Sequence, residues 1–109
     1  MRIYIVLKNW SNLYGFDCVW DEFVEVFGTQ RSAKKFIWNR YDEEREDVKS
    51  NDDLSLTGMR EYGKEYYDGH VDYRVQKPIY SAAWTVDAKV AKEDGYNVAY
   101  VIIEREVKG

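Results

Sequence analysis

The stretch from Phe23 to Tyr41, FVEVFGTQRSAKKFIWNRY, constrains the fold more than any other part of the chain. A short apolar run breaks at Gly28, and apolar residues then recur every three or four positions, which is the pattern of a strand, a turn and a helix. Side chains alternate along a strand, so Val24 and Val26 are expected on one face. Thr29 stands where a helix N-cap is needed, with a hydroxyl able to accept from a free amide near Ser32. On a wheel of about 100° per residue, Ala33, Phe36, Ile37 and Tyr41 fall within about 140° of one another, so one face of the helix is built for burial. Burying Phe36 and Ile37 contributes about 1.5 to 3 kcal/mol each, a large share of a small domain's stability.

The same wheel marks two exceptions. Glu44 falls near the centre of the apolar arc, so beyond Asp42 the helix is expected either to overhang the sheet or to bend away from it. Trp38 lies about 60° outside the arc, past Tyr41, and is the candidate exposed tryptophan.

Around this joint, Ile3, Ile5 and Leu7 alternate with Tyr4 and Val6, giving a first strand from about Arg2 to Asn9 that is apolar on both faces and suits mid-sheet. The closing run VAYVIIEREV, within Tyr96 to Val107, is also apolar on both faces until Glu104 and is expected to pair beside it. From Asn9 to Asp17 a hairpin connection interleaves Trp10, Leu13, Tyr14 and Phe16 with turn formers, and these side chains are expected either to fold back over the end of the core or to form a contact surface. Leu56, Met59, Tyr62 and Tyr66 recur at helical spacing, which predicts a short second helix between Leu54 and Gly69, although Gly58 and Gly63 each cost about 1 kcal/mol there. Val71, Tyr73 and Val75 alternate toward Pro78. Ile79 to Val86 reads as a strand or an irregular crossing, and DAKVAKEDG as a helical turn or a hairpin loop.

These readings add up to an α+β fold: a mostly antiparallel sheet of four or five strands, with one main helix from Gln30 to about Tyr41 packed on one face and a second short helix in an insert. No period of about 20 to 50 residues recurs, so residues 1–109 are expected to form a single domain. One helix covers about one face. The aromatics of the other, with Phe23 and Phe27 expected among them, then need cover from the insert or from a second copy of the chain, a homodimer.

Composition narrows the chemistry. One His and one Cys cannot make a His or Cys metal cluster, and no phosphate-cradling glycine motif occurs. His70 follows Asp68 and Gly69 in a turn-like setting and reads as a surface residue. Cys18 has no basic neighbour in sequence to activate it and reads as an inert thiol. Adjacent acids such as Asp52 with Asp53, or Asp21 with Glu22, carry no motif that orients them. No catalytic residue, cofactor or metal is therefore expected, and the chain is not expected to be an enzyme. A lone cysteine makes no internal disulfide, and MRIYIVLKNW meets Lys8 and Asn9 too early for a secretion signal or a membrane span, so a cytoplasmic setting without membrane contact is expected. Sixteen basic against twenty acidic residues give a net charge of −4, which weighs against a nucleic-acid binder working through a general positive field.

The segment FVEVFGTQRSAKKFI, with RIYIVL before it and AYVIIEREV near the end, resembles a group of small uncharacterised phage and bacterial proteins of unknown function. The resemblance covers about the first forty residues and the last dozen, and it implies an α+β fold and a phage-like origin. The chain departs from that group in the aromatic loop Trp10 to Phe16 and in the insert Asp42 to Val86.

The leading expectation is a non-enzymatic, phage-encoded interaction protein that binds a host protein in the host cytoplasm and inhibits or redirects it, a class that includes anti-defence proteins such as anti-CRISPRs. The alternative is a nucleic-acid-contacting accessory protein using Arg31, Lys34, Lys35 and Arg40, which the adjoining acids oppose. The helix carries cations toward its start and anions toward its end, against the preference of its dipole, an order that is either chance or a surface shaped for a partner. The residues expected to bind that partner are Trp38, Arg40 and Tyr41, with Asp42, Glu43, Glu44, Glu46 and Asp47 as an acidic rim; the alternative for Trp38 is that it packs under the insert from Leu54 to Tyr67.

Overall fold

A computed structural model describes residues 1–12, 20–62, 78–90 and 95–108. The aromatic loop beyond Asn12, Cys18, His70 and the alternation of Val71, Tyr73 and Val75 lie outside the described residues. The elements run β1 (Arg2–Asn12), β2 (Trp20–Phe27), α1 (Gln30–Lys49), β3 (Leu54–Leu56), β4 (Arg60–Tyr62), β5 (Tyr80–Ala88) and β6 (Tyr96–Glu106). The strands form one six-stranded sheet in the order β2-β1-β6-β5-β3, with β4 also paired to β5, and every pairing is antiparallel. The fold is α+β, with six strands among the described residues rather than four or five.

The first strand is interior, as its two apolar faces predict, and it pairs with β6 along its whole length from Arg2 opposite Glu106 to Asn12 opposite Tyr96. β2 flanks it through a register shift. Val6 faces Glu25 while Leu7 faces Phe23, so Val24 is an extra residue on β2. This bulge separates the two valines expected to share a face: Val24 packs against the core, whereas Val26 is 39% exposed.

Thr29 caps α1 as its position predicts, its Oγ1 accepting from the Ser32 amide at 3.1 Å. Ala33, Ile37, Tyr41 and Val48 are buried against Val6, Tyr80, Ala82, Trp84, Val86, Val98, Tyr100 and Ile102 of the sheet. The helix does not stop near Tyr41. It continues to Lys49, because Glu44 is given a partner: the Tyr96 hydroxyl donates to its Oε1 at 2.6 Å. A carboxylate in the middle of an apolar arc is thereby satisfied by a residue from the far side of the chain.

The expected second helix is two strands instead, as far as Tyr62. Leu54 to Leu56 pairs with Val86 to Ala88, and Arg60 to Tyr62 pairs with Ser81 to Ala83. Two glycines weaken a helix here, while β5 offers a long strand edge that satisfies the backbone. From Tyr80 this segment resolves as β5, and Pro78 stands two residues before it, where its missing amide costs no ladder bond.

Phe27 lies on the helix side of the sheet, not the opposite one, with its ring 5.3 Å from that of Phe36. Phe23 contributes a backbone pairing, its side chain being outside the described ones. On the face away from α1, Val101 and Ile103 are 3% and 2% exposed within the single chain, so those two positions are covered without a second copy. No helix among the described residues is long and apolar enough to cross a membrane.

Candidate functional site

Two flanks of α1 rise on either side of its buried ridge, and they divide the residues expected to form one patch. On the first flank Trp38 is 39% exposed. Its indole N–H donates to Glu61 Oε1 at 3.0 Å, and its ring meets Tyr41 edge-on at 6.0 Å and 87°. Trp38 is thus fixed from beneath by β4 and from the side by the core, while much of its ring faces solvent. Asp42 approaches Arg45 at 3.9 Å and Glu46 approaches Lys49 at 3.4 Å, exposed pairs worth little individually.

Tyr41 departs from the expectation. It is 8% exposed, its ring 5.3 Å from Trp84, and it belongs to the core.

The Glu61 carboxylate gathers the Trp38 flank. The Tyr80 hydroxyl donates to the same Oε1 at 2.5 Å, and the Lys34 ammonium lies 4.7 Å from the Tyr80 ring centre. The hydrogen bond from Tyr80 first, then that from Trp38, hold the Glu61 carboxyl below the ordinary glutamate range. Burial, together with Glu61 itself, pushes the Tyr80 hydroxyl up, so it stays protonated as a donor. A carboxyl whose folded value is depressed contributes stability that is fully present above its ordinary value of 4.5 and is lost as the pH falls through the lowered value. Glu61→Gln is therefore expected to flatten the acid side of the stability profile. Urea unfolding at pH 6 and pH 3.5, compared with the parent, checks this, and an unchanged difference between the two pH values would refute it.

The second flank, Arg40, Glu43, Glu44 and Asp47, borders a cleft of about 600 Å³ between α1 and the sheet. Phe36, Arg40, Glu43 and Asp47 follow one another at spacings of four, three and four, so they form a single row along the helix. At its start the row packs, Phe36 against Phe27. One turn later it becomes charged where the cleft opens, with Val24 at the β2 bulge on the opposite wall. The floor is aromatic: Trp10 from β1, Trp84 from β5, and Tyr96 and Tyr100 from β6. Trp84 and Tyr100 stack at 5.6 Å and 26°. Lys8 reaches over Tyr100 at 6.0 Å, and Arg40 bonds Glu43 at 3.3 Å while lying 5.1 Å from the Phe36 ring. Burial and the neighbouring Glu44 carboxylate push the Tyr96 hydroxyl up, which keeps it a donor.

Reading the sequence missed this cleft. Its lining comes from β1, β2, α1, β5 and β6, and no local spacing brings those residues together. A usable signal lay in the helix row itself, where an apolar position is followed by charged ones on the same line.

Of the expected partner-binding residues, Trp38, Asp42 and Glu46 lie on the first flank, Arg40, Glu43, Glu44 and Asp47 on the second, and Tyr41 between them in the core. Lys34 and Arg40, two of the four basic residues of the nucleic-acid alternative, already lie over aromatic rings of the protein. No group of three or more His, Cys, Asp or Glu side chains among the described residues is placed to hold a metal ion. Comparison with protein-family models, with curated proteins and with solved structures finds no match to this chain.

Proposed function

We propose that this protein is a non-enzymatic interaction protein that binds a host protein and inhibits or redirects it, with Trp38 as its anchor. One observation carries the reading: a large aromatic side chain is 39% exposed yet held in place by the 3.0 Å bond to Glu61 and by edge contact with Tyr41. Exposed tryptophans are usually costly to order on binding. Here the ordering has been done by the fold, so its area can be buried against a partner with little further loss of entropy. The exposed acids of the same helix, Asp42 and Glu46 on the flank of Trp38 and Glu43 and Asp47 on the other, would speed association with a basic surface through long-range attraction. Phage origin, and an anti-defence role such as anti-CRISPR activity, rest on the resemblance of the strand-turn-helix joint.

Trp38→Ala tests the reading once the partner has been captured from a host lysate and identified by mass spectrometry. The variant is expected to lose only about 1 kcal/mol of stability, the worth of one exposed hydrogen bond. Affinity is expected to fall by about thirtyfold or more, as for a central interface aromatic. Retained affinity would refute it, and so would a stability loss of about 3 to 5 kcal/mol, which marks a core tryptophan. Capture of nucleic acid instead, weakening steeply between low and moderate salt, would favour the accessory-protein alternative.

A further inference from the structure

The cleft on the second flank of α1 has a chemistry of its own. Its floor is made of four aromatic side chains, Trp10, Trp84, Tyr96 and Tyr100, and its helix wall carries three carboxylates, Glu43, Glu44 and Asp47. Two cations, Lys8 and Arg40, share the lining, so three negative charges face two positive ones and the lining is net −1. Arg40 is matched by Glu43 at 3.3 Å. Glu44 is held by the neutral hydroxyl of Tyr96, at 2.6 Å, and Asp47 has no cationic partner among the described residues. Two carboxylates and an aromatic floor thus stand against one ammonium, Lys8.

Aromatic rings present a negative face, and cations bind over them most strongly where water is partly excluded. The protein already uses the floor in this way, since the Lys8 ammonium lies 6.0 Å from the Tyr100 ring centre. At about 600 Å³ the cleft has room well beyond that one side chain and falls in the size range of sites that enclose a ligand.

We propose that the cleft receives an arginine or lysine side chain projecting from the protein partner, its aliphatic stem lying on the aromatic floor and its charged head between Glu44 and Asp47. This rests on the interaction-protein reading and adds a second contact to it, on the flank away from Trp38. The chemistry selects against an anionic occupant, which would meet Glu44 and Asp47, and against a purely apolar one, which would strand both carboxylates without a counter-charge.

The test is a titration of the whole chain with hexa-arginine and hexa-lysine, followed through the indole N–H signals of Trp10, Trp38 and Trp84 in nitrogen-15 spectra. Both peptides are expected to move the Trp10 and Trp84 signals, with hexa-citrulline, the uncharged counterpart of hexa-arginine, leaving them in place. Asp47→Asn keeps the shape of the side chain and is expected to weaken hexa-arginine by about fivefold, the upper range for one partly exposed charge pair. Asp42→Asn changes the net charge equally on the other flank and is expected to alter affinity by less than about twofold. The proposal is overturned if hexa-citrulline binds as well as hexa-arginine, if inorganic phosphate moves the same signals, if the two variants weaken binding equally, or if the Trp10 and Trp84 signals do not respond. Trp38→Ala is expected to leave this titration unchanged while weakening partner binding by about thirtyfold or more, so a failure of the anchor reading and a failure of the cleft reading are seen in different measurements.

Discussion

Trp84→Ala is expected to lose about 3 to 5 kcal/mol of stability, enough to leave a domain of this size largely unfolded at moderate temperature. Trp84 is 3% exposed, stacks on Tyr100 at 5.6 Å and receives Tyr41 edge-on at 5.3 Å, so it joins β5, β6 and the helix in one aromatic cluster. Its indole N–H is buried and has no acceptor among the described residues. Trp84→Phe should consequently be far milder, about 1 kcal/mol, because it keeps a ring in the stack and removes a donor that the fold leaves unsatisfied. Urea unfolding of both variants decides the matter. Equal losses would mean that a single six-membered ring cannot keep the cluster together and that the full indole is needed.

The second large effect is at Tyr41. Tyr41→Ala should cost about 3 kcal/mol and lower the melting temperature by roughly 10 to 20 °C, whereas Trp38→Ala, three residues earlier on the same helix, should cost about 1 kcal/mol. Tyr41 is 8% exposed and touches both Trp38 and Trp84, so its loss opens a cavity between the helix and the sheet. A loss at Tyr41 no greater than that at Trp38 would return it to the surface patch.

That pair shows how far the amino-acid pattern reaches. The wheel placed Tyr41 at one edge of the apolar arc and Trp38 beyond it, which is the order of burial observed, yet composition alone made both look like interface aromatics. β1, β2, β6 and the start of α1 were legible because their apolar alternation and the Thr29 cap are local signals. The second half of α1 was not, since Glu44 breaks the pattern and its remedy, the Tyr96 hydroxyl, lies 52 residues away. β3 and β4 were hidden for a related reason. Leu56, Met59 and Tyr62 fit a helical spacing, and only the edge of β5, itself well separated in the chain, turns the segment into paired strands. The cleft is the extreme case, with lining drawn from five elements.

The pairing of β1 with β6 has a kinetic consequence. These two strands share the longest ladder of the sheet, eleven residues a side, and join positions as far apart as Met1 and Glu106, whose charged groups lie 3.3 Å from each other. Closing so long a loop must be completed before the ladder returns any stabilisation, and topologies of this kind fold on the order of milliseconds to seconds rather than microseconds. On the ribosome, β1 is made well before β6, so until Glu106 has emerged the edge that β1 will offer to β6 has no strand to pair with. During that interval the nascent chain exposes an unpaired, apolar strand edge, the kind of surface through which folding chains associate wrongly.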